Sequence, residues 1–168
     1  GILTAGGVWL LLQRSMVRSI FGLTLISHAA NLLLPSIDLI EPTDPRFLST
    51  LDRYRELLVR ERGVMRYIHE DDFGSPSSTF TICSFWWIEA LALSGQLEEA
   101  IEMFETVVGH ANPMGLFSED IDAASGELLG NFPQAFTPLA LINAVVHVIR
   151  AEEEADSSGV FQPANAPM

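Results

Sequence analysis

The stretch TFTICSFWWIEALALSGQLEEAIEMFETVV, residues 79–108, decides the fold. Thr79 to Ser94 is apolar around most of its circumference, as a buried helix requires. Gly95 breaks it. Leu97, Ala100, Ile101, Phe104 and Val108 then share one face of a second helix, with Glu98, Glu99 and Glu102 on a solvated face. So short a turn between two helices predicts an αα-hairpin.

Working outward, Asp44 can cap a helix that has Pro45 at its first position. Phe47, Leu48, Leu51, Tyr54, Leu57 and Leu58 follow at helical spacing, predicting a helix to about Arg60 that Gly63 ends. Downstream, Pro133 to Ala155 reads as a final helix, and residues after Asp156 read as a frayed, disordered tail. Pro138, five residues past Pro133, would remove a hydrogen bond inside that helix and cost about 3 kcal/mol unless the helix kinks. Two long loops remain, 64–78 and 109–132. Gly74-Ser-Pro-Ser-Ser78 closes the first, and Gly115, Gly126 and Gly130 are hinges in the second. No internal repeat is present, so the expected class is all-α.

The chain has 168 residues, 22 acids and nine bases, all arginine, for a net charge of −13. That balance excludes nucleic acid as a main partner, because phosphate binding needs clustered Lys and Arg. Cys83 is the only cysteine, so no internal disulfide or Cys-based metal site can form, and it reads as a small core residue. His110 and His147 have no partners at metal-ligand spacing. Neither a metal nor another cofactor is expected.

The charge is uneven. Residues 1–37 carry Arg14 and Arg18 and no acid, whereas residues 38–168 carry seven arginines against 22 acids. Two apolar runs flank the basic connector Gln13 to Arg18, a pattern closer to a membrane helical hairpin than to a signal peptide. Gly7-Val-Trp-Leu-Leu-Leu-Gln-Arg-Ser15, with Arg18, Gly22 and Leu25-Ile-Ser-His-Ala-Ala-Asn-Leu-Leu-Leu34, resembles the small C subunit of Mrp/Mnh-type multisubunit Na+/H+ antiporters over about residues 2–34. His28 and Asn31 would share a helix face, where inter-helix hydrogen bonding is the simpler reading. The resemblance implies membrane contact through residues 2–34.

Chemistry concentrates in loops at the ends of rigid helices. The first loop holds Arg66, Tyr67, His69, Glu70, Asp71 and Asp72; the second holds Ser118-Glu-Asp-Ile-Asp122. Carboxylates in paired loops, with arginine and aromatics beside them, suit carbohydrate chemistry. Aromatic faces pack on sugar rings, charged groups bind hydroxyls, and a carboxylate can deprotonate water. Of Trp86 and Trp87, one is expected in the core and the other along a sugar site.

Several phrases sharpen this reading: Pro42-Thr-Asp-Pro-Arg-Phe47, Arg66-Tyr67, Cys83-Ser-Phe-Trp-Trp-Ile-Glu-Ala-Leu-Ala92, Ser118-Glu-Asp-Ile-Asp122, and Leu129-Gly-Asn-Phe-Pro-Gln-Ala-Phe136 followed by Leu139-Ala-Leu-Ile-Asn143. Together they resemble the C-terminal part of glycoside hydrolase family 15, which contains glucoamylases, glucodextranases and bacterial trehalases. The resemblance runs from about Leu32 to about Arg150, so the junction between the two resemblances falls between about Asn31 and Ser36.

The resemblance implies an (α/α)6 barrel, a six-hairpin toroid of twelve helices with its active site in the connecting loops. It implies inversion of an α-glucosidic bond by a general acid and a general base. The base of the family's Ser-Glu motif maps to Glu119, and the sugar-contacting arginine maps to Arg66. Tyr67, Glu70, Asp71, Trp86 and Gln134 are the further substrate-binding candidates. The acid belongs to a Trp-Glu motif that this sequence does not contain.

The expected organisation is a hydrophobic hairpin at 1–36, a partial α/α-toroid at 37–155 and a tail at 156–168. The expected function is hydrolysis of an α-glucoside oligosaccharide or disaccharide, expressed only in a complete barrel, with a cytoplasmic location for the hydrolase-like part. The rival readings are a membrane fragment of a cation/proton antiporter and a non-catalytic helical interaction module. A partial barrel would leave helix faces exposed, and self-association through them is expected.

Overall fold

The computed structural model describes residues 31–70 and 74–158. The predicted hydrophobic hairpin lies outside the described residues except for 31–36, as do Asp71 and most of the predicted tail. Among the described residues no helix is long and apolar enough to cross a membrane.

Helix α1 spans Pro45–Leu57 and starts as its sequence requires. The Asp44 carboxylate accepts from the Arg46 main-chain N–H at 2.8 Å, satisfying a donor that the helix itself cannot. The same carboxylate is gripped by the Arg46 guanidinium, and these bonds hold its pKa down at about 2. Phe47, Leu51 and Tyr54 form the buried stripe.

The helix ends at Leu57, short of Arg60, because the chain turns back as a small hairpin. Strand β1 (Val59–Arg60) pairs antiparallel with β2 (Gly63–Val64). Gly63 has φ +135°, and a Cβ there would stand 2.5 Å from the Ser84 hydroxyl. Only glycine fits, and the closeness lets the Val64 N–H donate to that hydroxyl at 2.9 Å.

Helix α2 (Thr81–Leu93) is the centre of the fold and is buried along almost its whole length. Trp87 and Phe85 are fully buried, and each such side chain contributes on the order of 1.5–3 kcal/mol. Tyr54 stacks on Trp87 with ring centroids 6.3 Å apart. Gly95 turns the chain at φ +79°, and α3 (Leu97–Val108) follows with the predicted bounds. Glu99 departs from the solvated-face expectation. It is only partly exposed and accepts two bonds from Arg55 of α1, at 3.1 and 2.8 Å.

Helix α4 spans Phe136–Ser158 and packs on α2. It starts after Pro133, so Pro138 falls in the first turn. The first four N–H groups of a helix have no partner within it, so this proline costs no hydrogen bond and the expected kink is not required. Ala140, Ala144 and Val148 recur every fourth residue on the buried face, while Leu139, Ile142, Val146 and Ile149 are exposed.

The mostly helical architecture agrees with the expected class, but the loops do not fit a purely α fold. Strand β3 (Ser78–Phe80) pairs antiparallel with β4 (Asp120–Asp122), which pairs antiparallel with β5 (Leu128–Leu129). These strands are too short to write an alternating pattern into the sequence, and β3 finds its partner β4 only across the whole α2–α3 hairpin.

Candidate active site

The three-stranded sheet sets the site by its register. Phe80 opposes Asp120, and Asp120 opposes Leu129. One step beyond each pairing, the chain leaves the sheet at Thr81, Glu119 and Gly130. The Thr81 N–H donates to the Glu119 carbonyl at 3.0 Å, and the Glu119 N–H donates to the Asn131 carbonyl at 2.9 Å. Glu119 is therefore held on both sides at the N-terminal end of the buried helix α2. Phe117, two residues before it, packs edge-on against Phe85 at 5.5 Å and ties this loop to the core. Ser118 is buried, and its hydroxyl donates to the Asp120 carbonyl at 2.6 Å.

The Glu119 side chain meets two donors at one oxygen. Asn131 gives Oε2 its main-chain N–H at 3.1 Å and its side-chain amide at 2.6 Å. The Arg66 guanidinium approaches the other oxygen, Oε1, at 3.4 Å. Arg66 is itself seated on an aromatic face, with Cζ 3.7 Å from the centroid of the Phe80 ring. Hairpin β1–β2 delivers Arg66 from one side, and β3 delivers Phe80 from the other. Gly130 has φ +73°, and a Cβ there would come within 2.9 Å of Glu119 Cβ.

These contacts set the electrostatics. Hydrogen bonds from Asn131, then the Arg66 charge, hold the Glu119 carboxyl below the ordinary glutamate value against some desolvation. Glu119 is thus a carboxylate at neutral pH. Its neighbour Asp120 moves the opposite way. Burial raises its pKa, and the Glu119 charge adds to the rise while Arg66 opposes it.

The other sequence-predicted residues fall as follows. Tyr67 is half-buried next to Arg66, and Glu70 is exposed. Asp71 lies outside the described residues. Trp87 is the core tryptophan, while Trp86 is half-buried against the core cluster. Gln134 is half-buried, and its main-chain N–H donates to the Phe117 carbonyl at 3.0 Å. The fold thus brings Arg66 into contact with Glu119 and anchors Gln134 beside the same loop.

Phe80 and Asn131 were not among the sequence candidates. Asn131 lies inside the quoted Leu129-to-Phe136 phrase, which was the available signal. Phe80 carried none. Cys83 is buried, and desolvation pushes its thiol up to about 12, which makes it an inert core group. His147 has Nε2 3.4 Å from Oε1 of the buried Glu89 on α2. Among the described residues no cluster of His, Cys, Asp and Glu could hold a metal ion.

The family described as "Glycosyl hydrolases family 15" matches residues 11–146. The chain is 52% identical over 143 residues to a trehalase of Mycobacterium tuberculosis, covering 83% of this chain and 21% of that protein. It is 43% identical over 115 residues to a trehalase of Thermoplasma volcanium, covering 68% of this chain and 18% of the relative. A protein named trehalase 1 from Sulfolobus acidocaldarius is 35% identical over 120 residues, covering 71% of this chain and 21% of its own length. The chain therefore spans about a fifth of the length of the curated relatives it matches. No solved structure matches. The antiporter-subunit resemblance drawn over about 2–34 gains no support, since the hydrolase match already takes in residues 11–34.

Proposed function

We propose a function from one premise: the chain belongs to glycosyl hydrolases family 15. On that premise it contributes the general-base side of an inverting α-glucosidase of trehalase or glucoamylase type. The observation that carries the reading is the contact between Arg66 and Glu119 at the loop end of the helices.

In this reading Glu119 takes a proton from a water whose oxygen attacks the anomeric carbon. The electron pair of the broken C–O bond leaves with the glycosidic oxygen, which a general-acid carboxyl group protonates. A pKa held low keeps Glu119 ionised to receive the proton. Arg66, rigid on Phe80, presents its remaining guanidinium N–H groups to sugar hydroxyls. Tyr67, Glu70, Asp71, Trp86 and Gln134 are proposed to complete the sugar contacts. The substrate class is an α-linked glucose disaccharide or short oligosaccharide, with trehalose and maltose the first to test.

An inverting site needs two carboxyl groups about 6.5–9.5 Å apart. The sequence has no Trp-Glu motif to supply the acid, so the acid is assigned to chain beyond these 168 residues. These residues on their own are then expected to bind sugar without cleaving it. Membrane contact and self-association form no part of the proposal.

The test is calorimetric titration of the purified chain with trehalose and maltose, alongside an assay for released glucose. Saturable binding that Arg66→Ala abolishes, with no glucose released, is the expected result. A folded chain that binds neither sugar removes the sugar-site reading. Glucose release that disappears in Glu119→Gln shows that the chain holds a complete catalytic pair and overturns the assignment of the acid elsewhere.

A further inference from the structure

Glu119 and Asn131 are joined at three points. The Glu119 N–H donates to the Asn131 carbonyl, and both the main-chain N–H and the side-chain amide of Asn131 donate to Glu119 Oε2. A carboxylate oxygen has two lone pairs, and Asn131 occupies both on Oε2. Among the described residues Oε1 receives only the longer contact from Arg66 at 3.4 Å, so it keeps a lone pair for another proton. Gly130 makes this possible. Its missing side chain is what allows the Asn131 backbone to close on Glu119, since a Cβ there would stand 2.9 Å from Glu119 Cβ and 3.1 Å from Oε2.

We infer that Asn131 is the positioning residue of the Glu119 carboxylate, saturating Oε2 and turning Oε1 toward the reacting water. This rests on the reading of Glu119 as the general base. Asn131 acts through Glu119 and is given no contact with substrate. Its two donors replace the water that would otherwise solvate Oε2, and they fix the carboxylate rotation that a half-exposed glutamate would lose. Among the described residues the other charged groups that act on Glu119 are Arg66, at Oε1, and Asp120, the next residue.

The test follows the Glu119 carboxyl carbon by NMR through an acid titration of the full 168-residue chain. In the unmodified protein, the main-chain and side-chain amide protons of Asn131 should shift with the same midpoint as Glu119. In Asn131→Ala that midpoint should rise toward the ordinary glutamate value. In the isosteric Asn131→Asp, where a donor becomes an acceptor of the same size, it should rise further. A filler role for Asn131 would move the midpoint in the alanine variant alone. Asn131 amide protons that ignore the Glu119 titration overturn the inference, as does a midpoint unchanged in both variants. Should either variant lose its fold, the unmodified-chain measurement decides. Failure of sugar binding with these shifts intact removes the functional reading and leaves the positioning geometry standing.

Discussion

The helical layer and the small sheet at its end solve opposite problems. In α2, almost every side chain is buried, and the helix is held by apolar contact with α1, α3 and α4. At the β3–β4–β5 sheet, the residues that matter are partly exposed, polar and held by directed hydrogen bonds. The first region concentrates apolar burial, and the second concentrates the polar groups of the candidate site. Phe85 packing on Phe117 is the bolt between them, since it fixes the loop that carries Glu119 to the core.

If that division holds, substitutions in the two regions should separate stability from site function. Trp87→Ala removes a fully buried ring and its stack on Tyr54. It should cost about 3–5 kcal/mol in urea denaturation. A loss below 1 kcal/mol would mean that the helical layer is not the stable part. Gly130→Ala forces a Cβ against Glu119 at a positive φ. It should cost about 1–3 kcal/mol and raise the Glu119 midpoint, so it strikes both regions at once. Unchanged titration of Glu119 in that variant would separate Gly130 from the site.

Arg66→Ala should affect the site alone. Its pairing with Glu119 is long and partly exposed, and such pairs contribute about 0–1 kcal/mol. Its unfolding curve should nearly overlay that of the unmodified chain while sugar binding disappears. A large stability loss would place Arg66 with the structural residues instead.

The smallest expected effect concerns pH. Glu119 has a depressed folded pKa, so its stabilising contribution is present above its unfolded value of 4.5 and is lost as pH falls through the folded pKa. Asp120 has a raised folded pKa, so its contribution is present below its unfolded value of 3.8 and is lost as pH rises through the folded pKa. Asp120→Asn should therefore stabilise the chain slightly at pH 7 and give no gain at pH 3, by thermal melts at the two pH values. A gain of equal size at both would show that the Asp120 charge is irrelevant.

The helices were legible because their information is local. Apolar residues around the whole of Thr81–Leu93, Gly95 at the turn, and Asp44 before Pro45 are each read within a few positions. Element ends were less legible. The end of α1 depends on a hairpin that closes through Ser84, twenty residues from Val64 in the chain. The start of α4 after Pro133 turned an expected kink into an ordinary first turn. The short strands were invisible, because two or three residues show no period, and β3 pairs with a strand beyond the α2–α3 hairpin.

The sequence by itself determined the mostly helical class, the buried hairpin, the acidic balance and the phrases that place the chain in its family. It also nominated Glu119 and Arg66, though as separate residues in separate loops. Only the tertiary structure decided that they touch, that Phe80 lies beneath Arg66, and that Asn131 holds Glu119 Oε2. Helix formation follows from neighbours in sequence. The candidate site follows from the register of β3 on β4, which sets Phe80 opposite Asp120 across the whole α2–α3 hairpin, and no local pattern encodes that register.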